Sequence, residues 1–207
     1  VQRQQTLHQL VQQTKEFRRA QQQDQLISLP TGDGMALVFF HDPVAPVQCA
    51  IELAQFVRRQ PEIALRMGVH SGLVYRVADI NANRNVAGGG INIAQRVMDC
   101  GDAGHILVSS TVAGVLGEAG HWSDYLTDWG EQEVKHGARL HLYNLYTGEV
   151  GNQSLPARLR RTMPLTEPLP NTPSVIKAET IPPQKLLIKW LVAGTVLVVL
   201  CGVLIWV

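Results

Sequence analysis

Asn92 and Arg96 stand four residues apart in a segment whose apolar residues recur with helical spacing, so both are predicted to project from one helix face. Three consecutive glycines, Gly88, Gly89 and Gly90, come directly before them. Glycine lets a backbone approach a ligand closely, and the first turn of a helix leaves N–H groups free for an anion. An amide and a guanidinium beside such a loop suit a polyphosphate whose charge shifts during reaction. The same residues also fit a glycine turn before an ordinary amphipathic helix.

The composition limits the classes of function. The chain has 207 residues, of which 45% are hydrophobic and 17% charged, and its formal net charge is +1. This length suits one main domain plus an appendage. The near-neutral charge gives no electrostatic reason to expect a nucleic-acid partner. Cys49, Cys100 and Cys201 are odd in number and far apart, which indicates buried thiols rather than disulfides. The scattered histidines lack the spacing of a structural zinc site.

The order of predicted elements indicates an α+β sandwich, with helices on a mostly antiparallel sheet. Ser110 is a candidate helix cap, and Lys135 is predicted to stand on a strand. The predicted elements are a helix at 1–23, a hairpin at 26–40 around an Asp-Gly turn, a helix at 43–59, strands at 64–70 and 73–77, a polar loop at 79–90, the Asn92 helix, a strand at 105–109, a helix at 110–116 and two strands between 122 and 146.

The last part of the sequence changes character twice. Residues 147–184 are a polar, proline-punctuated run without periodicity, which predicts an extended linker. Residues 185–207 predict a single transmembrane helix, since about 20 apolar residues cross the hydrocarbon core. Trp190 and Trp206 fall at its two ends, and lysines flank its N-terminal side, so the preceding domain is expected in the cytoplasm. A buried core helix is the alternative for this segment.

With its elements in this order, the chain resembles the class III adenylate/guanylate cyclase catalytic domain over residues 1–146. The resemblance implies a ferredoxin-like sandwich that converts a purine nucleoside triphosphate to the 3′,5′-cyclic nucleotide and pyrophosphate in intracellular signalling. Several stretches carry it together, and each alone is weak. They are Leu29 to Phe39, Leu65 to Gly72, Gly88 to Val97, Ala103 to Ser109 and Glu133 to Gly137.

The resemblance implies a role for each candidate residue. Asp33 resembles one of two aspartates that hold Mg²⁺ (or Mn²⁺), and a hard cation does prefer carboxylate oxygen. Asn92 resembles the residue that orients the ribose, and Arg96 the one that stabilises the pentavalent phosphorus. Lys135 resembles the lysine that reaches the triphosphate. Because the family takes its aspartates from one subunit and its Asn and Arg from the other, a head-to-tail homodimer is implied. Without the resemblance, Asp33 fits a plain turn and Lys135 an exposed strand lysine.

The sequence departs from the family pattern at two places. The family distinguishes purines at the positions of Leu29 and Asn85, where Leu29 cannot hydrogen-bond a base and Asn85 suits either purine. ATP is expected over GTP. The family's first strand, which is central and carries the other metal aspartate, has no counterpart before the first helix. Its absence is expected to leave backbone groups unpaired and the chain as written nearly or wholly inactive.

We therefore expect the sequence to lack the N-terminal part of the natural protein. The alternative function is a catalytically inactive cyclase-like module, which dimerises or binds nucleotide and regulates a partner.

Overall fold

The computed structural model describes residues 2–78, 84–160 and 196–203. The helices there are α1 (Gln2–Gln13), α2 (Lys15–Gln22), α3 (Ala45–Val57), α4 (Gly89–Met98), α5 (Ser110–Glu118) and α6 (Ala157–Arg160). The strands are β1 (Leu26–Thr31), β2 (Gly34–Phe40), β3 (Leu65–Gly72), β4 (Tyr75–Ala78), β5 (Arg84–Ala87), β6 (Ile106–Ser109), β7 (Leu126–Glu133), β8 (Arg139–Leu145) and β9 (Val196–Val203).

Seven strands form one sheet in the order β1-β2-β9-β3-β6-β8-β7, while β4 and β5 pair as a separate hairpin. Every neighbouring pair in the large sheet is antiparallel except β3 and β6. This arrangement confirms the predicted α+β fold with a mostly antiparallel sheet.

The two faces of the sheet carry different layers, because successive side chains of a strand point in opposite directions. Leu37 of β2 joins a core that includes residues of α1, α2, α3 and α5. Its neighbour Val38 instead packs with Ala94 and Met98 of α4. The helix that carries Asn92 and Arg96 therefore lies on the opposite face from the other long helices.

The single N-terminal helix predicted at 1–23 is wrong, because α1 and α2 meet at Thr14. The hydroxyl of buried Thr14 donates a hydrogen bond to Val11 O at 2.8 Å and accepts one from Phe17 N at 3.4 Å. Thr14 thus ends one helix and caps the next. The break lets both helices follow the sheet.

Three local predictions after the first hairpin also differ from the structure. Strand β5 forms inside the predicted polar loop 79–90 and pairs with β4. Ser109, not Ser110, is the residue before α5. Lys135 lies in a 3-10 turn, Lys135–Gly137, beyond the end of β7. Val134 N donates to Ala138 O at 2.8 Å and closes that turn, which the alternation of β7 could not reveal.

The chain stays packed against the domain beyond Tyr146, where an extended linker was predicted. Val150 and Leu159 are buried, and Leu159 belongs to a cluster with Trp129 on the sheet face that carries α4. Apolar residues spaced irregularly among prolines can still dock one at a time on an existing core, which periodicity does not detect. Residues 161–184 of the predicted linker lie outside the described residues.

Residues 196–203, predicted as part of a transmembrane helix, form the central strand β9. It pairs with both β2 and β3, so the backbone groups predicted to be unpaired have partners. An unbroken apolar run fits a strand buried on both faces as well as a helix in lipid, so hydropathy alone did not separate them. In the described ranges, no helix has the length and apolar content needed to cross a membrane. Residues 185–195 and 204–207 of the predicted span lie outside those ranges.

Candidate active site

Four polar residues form one stripe along α4. Asn92, Gln95, Arg96 and Asp99 occupy positions i, i+3, i+4 and i+7, which share a helix face. Asn92 is exposed and Arg96 half-buried, and neither side chain contacts a polar partner among the described residues. An amide and a guanidinium therefore lie side by side on one helix face, which is the arrangement that their spacing predicted.

The three glycines before α4 have different roles. Gly88 has φ +148°, and a Cβ there would lie 2.6 Å from Leu73 O. A Cβ on Gly90 would lie 3.2 Å from Val74 Cγ1, whereas one on Gly89 would meet nothing within 4 Å. Gly88 is thus required for α4 to approach the β3–β4 connection, and Gly90 lies tightly against it. Only Gly89 leaves open space in which a ligand could reach the backbone.

Another glycine, Gly68 of β3, was missed by the sequence interpretation. A Cβ at this position would overlap the backbone of Met98 at the end of α4. The strand therefore needs glycine here to let the helix pack closely on the sheet. A glycine within an apolar strand pattern is the signal that would have revealed this approach.

Lys135 is placed at the far end of the α4 stripe. Its Nζ lies 3.2 Å from Asp99 Oδ2. Asp99 Oδ1 also accepts hydrogen bonds from Arg66 Nη2 at 3.3 Å and from Gln95 Nε2 at 3.1 Å. Asn92 and Arg96 therefore lie on one face of α4, and Lys135 lies at the C-terminal end of that face, beside Asp99. The sequence interpretation missed Asp99, although its spacing from Arg96 would have placed it on the same face.

Asp33 lies at the exposed tip of the β1–β2 hairpin. Thr31 pairs with Gly34, so Gly32 and Asp33 form a two-residue loop. Gly32 has φ +39°, the positive value that glycine supplies at the first position of such loops. Gln4 Nε2 donates a hydrogen bond to Gly32 O and ties the loop to α1. The Asp33 carboxylate itself has no polar partner among the described residues.

This carboxylate fits a divalent cation as one ligand. Mg²⁺ is often held by one or two carboxylates, with waters and substrate phosphates supplying the remaining oxygens. No cluster of three or more His, Cys, Asp or Glu side chains occurs in the part of the chain that the structure describes. Asp33 is therefore a suitable ligand, and it does not belong to a cluster of three or more such side chains within those residues.

Asp33 and the start of α4 lie at opposite ends of the sheet. Met35 and Met67 both pair with Cys201 of β9 near the hairpin tip, whereas Phe40 and Gly72 both pair with Val196. These two levels are five residues apart along β2, or about 17 Å at the usual strand rise. Gly90 N donates to Leu73 O at 3.4 Å, which puts the start of α4 at the Gly72 level. The helix then runs back towards the hairpin end, because Met98 lies against Gly68, which shares the partner Leu200 with Ala36. The start of α4 is therefore the part of the helix farthest from Asp33.

The two residues assigned to base discrimination lie on neighbouring elements. Leu29 packs half-buried against a cluster that contains Val86 of β5. The exposed Asn85 precedes Val86 and accepts a hydrogen bond from its backbone N at 2.8 Å. Leu29 thus offers an apolar wall, and within the described ranges the Asn85 amide N–H groups have no partner.

His70 belongs to a buried polar network beside the start of α4. Its Nδ1 lies 2.9 Å from Ser109 Oγ, which lies 2.8 Å from Thr111 Oγ1. Thr111 Oγ1 in turn donates to Ser71 O at 3.2 Å. Burial lowers the pKa of His70 to about 4, so the ring is neutral near pH 7. The network ties β3 to the start of α5, and the sequence interpretation did not identify it.

The chain matches the family model described as the adenylate and guanylate cyclase catalytic domain over residues 10–147. No match was found among curated proteins.

Three solved structures show a similar fold. An adenylate/guanylate cyclase/hydrolase from Silicibacter pomeroyi is 24% identical with a TM-score of 0.52, over 68% of this chain and 81% of that chain. An adenylate cyclase from Trypanosoma brucei is 17% identical with a TM-score of 0.54, over 72% and 80%. The guanylate cyclase domain of RhGC from Catenaria anguillulae, in complex with GTP, is 18% identical with a TM-score of 0.53, over 69% and 82%. At these identities the likeness shows a shared fold.

Proposed function

The chain belongs to the adenylate and guanylate cyclase catalytic domain family, and we propose that two copies complete each active site, with Asp33 of one protomer facing Asn92 and Arg96 of the other. As a member of this family it is a nucleotide cyclase, an enzyme that makes a cyclic nucleotide. The proposal concerns how its residues share that work.

The observation that carries the proposal is the separation of Asp33 from Asn92, which lies in the first turn of α4. Asp33 lies about 17 Å along the sheet from the level of Gly72 and the start of α4. A metal ion bridges carboxylate and phosphate over about 2–2.6 Å on each side, far less than this distance. Asn92, Arg96 and Asp33 have no polar side-chain partner among the described residues, and Asn92 and Asp33 are exposed, so a symmetric pairing of two chains can bring them together.

An exposed apolar strip beside the start of α4 supports such a pairing. Leu73, Tyr75 and Val77 alternate along the chain and are 62%, 65% and 41% exposed. Three neighbouring apolar side chains on one side of a hairpin favour coverage by another protein surface. A second copy of the chain would cover this strip. The tip of its β1–β2 hairpin, which carries Asp33, would then approach Asn92.

The chemistry follows from the charges of these residues. The ribose 3′-hydroxyl gives up its proton to solvent as its oxygen attacks the α-phosphorus, and the bond from that phosphorus to pyrophosphate breaks, so that pyrophosphate leaves. Arg96 supplies guanidinium donors to the oxygens that gain charge, and Asn92 holds the ribose in line with the α-phosphorus. Lys135 attracts the outer phosphates. Asp33 would hold Mg²⁺ or Mn²⁺, which when bound neutralises charge on the phosphate oxygens.

We propose ATP as the preferred substrate, with GTP as its competitor. Leu29 offers either base only apolar contact, and the Asn85 amide can donate and accept. The C. anguillulae relative is described in complex with GTP, so both nucleotides belong in the assay. Competition between ATP and GTP at equal concentration measures the preference directly.

We propose membrane attachment through residues 185–207, with the catalytic domain in the cytoplasm, on hydropathy alone. The pairing of residues 196–203, which are eight of these 23 residues, with β2 and β3 favours a place in the sheet for that part of the segment. Flotation of the purified chain with lipid vesicles separates the two. Protein that stays at the bottom of the gradient would contradict membrane attachment.

Two variants of the enzyme test the shared site. Asp33→Ala and Arg96→Ala are each expected to abolish cyclic nucleotide formation from ATP or GTP with Mg²⁺ or Mn²⁺. Mixed in equal amounts, they form heterodimers with one intact site, which restores about a quarter of wild-type activity if pairing is random. An inactive mixture, with dimers confirmed by light scattering, would contradict a site shared between protomers.

The inactive regulatory module remains a second candidate, because the described residues contain no cluster of three or more side chains that could hold a metal ion. Such a module would bind a fluorescent nucleotide and form dimers without releasing pyrophosphate. Formation of a cyclic product by the wild-type protein would exclude it.

A further inference from the structure

Asp99 lies directly after α4, at the last position of the helix's polar stripe. Its side chain is only 12% exposed, although it is a carboxylate. Oδ1 accepts from Gln95 Nε2 and Arg66 Nη2, while Oδ2 faces Lys135 Nζ at 3.2 Å. One oxygen is thus tied to the body of the domain, and the other holds a lysine.

Asp99 holds its two cations unequally. The Arg66 side chain is 24% exposed and also donates to Gly101 O at 3.3 Å, whereas the Lys135 side chain is 67% exposed. An ion pair with a long exposed lysine is weak, because water screens it and the side chain loses entropy. Lys135 can therefore leave Asp99, and the carboxylate still keeps Arg66 and Gln95.

We propose that Asp99 is a positioning residue of the nucleotide site, which holds Lys135 at the end of α4 and yields it to the incoming triphosphate. This inference rests on the proposed function, since it takes Lys135 to be the lysine that reaches the triphosphate. Asp99 and the phosphates compete for one ammonium group. A triphosphate with several negative charges wins over a single carboxylate that Arg66 already neutralises. Asp99 thereby sets how much of the lysine's attraction the substrate receives.

Asp99→Asn tests the competition while keeping the size of the side chain and one oxygen acceptor. The dissociation constant of inorganic triphosphate, measured by calorimetry, is expected to fall by up to about fivefold. The KM for the nucleotide should fall in parallel while kcat stays constant, because the ion pair opposes binding and not the chemical step. Glu131→Gln is the matched control, since it removes an exposed carboxylate from the preceding strand β7 whose partner is Arg139. This control variant should leave the dissociation constant, the KM and kcat unchanged.

Repeating the experiment in the Lys135→Gln variant separates release of the lysine from simple loss of negative charge. Lys135→Gln is expected to weaken triphosphate binding, and Asp99→Asn should then have no further effect. If Asp99→Asn leaves binding unchanged or weaker, or strengthens it equally without Lys135, the inference is overturned. A purely structural Asp99 would instead lower kcat and the melting temperature whether or not Lys135 is present.

Asp99→Ser serves if the asparagine variant does not fold, because it removes the charge and admits water beside Arg66. The failure of the proposed function has a different signature. If the wild-type protein binds inorganic triphosphate but makes no cyclic nucleotide, the proposed function is wrong. The dissociation constants of wild type and Asp99→Asn then still decide the role of Asp99. A wild-type protein that makes product, with equal KM in Asp99→Asn, contradicts only the role of Asp99. Absence of triphosphate binding by the wild type overturns both.

Discussion

Asn92 and Arg96 lie on a single helix four residues apart, whereas Asp33 lies on a hairpin beside a strand that comes from the far end of the sequence. The geometry of the first pair is set by local helical periodicity and by two close glycine contacts. The surroundings of Asp33 depend on β9, which joins β2 and β3 through pairings distant in sequence. Both elements form locally and both pack beside β9, so what depends on long-range order is the placement of Asp33 relative to Asn92 and Arg96.

The largest expected effect comes from removing the long-range element. A chain ending at Arg160 lacks β9, so the facing edges of β2 and β3 lose their backbone partners at the centre of the sheet. We expect it to aggregate or to lose cooperative unfolding, as followed by circular dichroism. A soluble truncated chain with an unchanged melting curve would show that β9 does not stabilise this sheet.

A disulfide can test the position of β9 without truncation. Met35 and Cys201 are direct partners across β2 and β9, so Met35→Cys is expected to form a disulfide with Cys201 under mild oxidation. Ala36→Cys is the matched control, because its partner is Leu200 and its side chain points to the other face. Equal cross-linking of the two variants would contradict the register.

Arg96→Ala should have the next largest effect, and it acts on α4. Loss of a preorganised donor to developing charge costs about 10²–10³ in kcat. Because Arg96 has no polar partner among the described residues, the melting temperature should hardly change. Arg139→Ala, which removes an exposed arginine paired only weakly with Glu131, is the control and should keep full activity. Steady-state kinetics that show full activity for Arg96→Ala would remove its assigned role.

These two regions also show how far the sequence could predict the molecule. The helix carrying Asn92 and Arg96, and the hairpin carrying Asp33, follow from periodicity and turn chemistry, which act within a few residues. The position of Lys135 beside Asp99 depends on a turn after β7 that alternation does not encode. The strand made by residues 196–203 could not be predicted, because an apolar run fits a buried strand and a membrane helix equally well. Local chemistry was therefore predictable, and long-range pairing was not.

Substitutions of the glycines before α4 should have a smaller effect. They distinguish a glycine that close packing requires from one whose backbone a ligand could approach. Gly88→Ala puts a Cβ 2.6 Å from Leu73 O at φ +148°, and we expect it to destabilise the fold by about 1–3 kcal/mol. Gly89→Ala meets nothing within 4 Å in the first turn of a helix and should be neutral or stabilising by up to about 1 kcal/mol. Denaturant unfolding measures both. Weaker triphosphate binding in Gly89→Ala, with unchanged stability, would indicate that a phosphate approaches this backbone.

His70 provides the smallest effect, which appears as a dependence of stability on pH. Burial lowers its pKa from 6.5 to about 4, so the unfolded chain binds the proton more tightly. Its contribution is therefore fully present above pH 6.5 and is lost as the pH falls towards 4, by about 2 kcal/mol at pH 5. His70→Gln should flatten this part of the pH profile of the unfolding free energy, whereas the exposed His8→Gln should not. Parallel profiles for wild type and His70→Gln would contradict the lowered pKa of His70 as a cause of the loss of stability in acid.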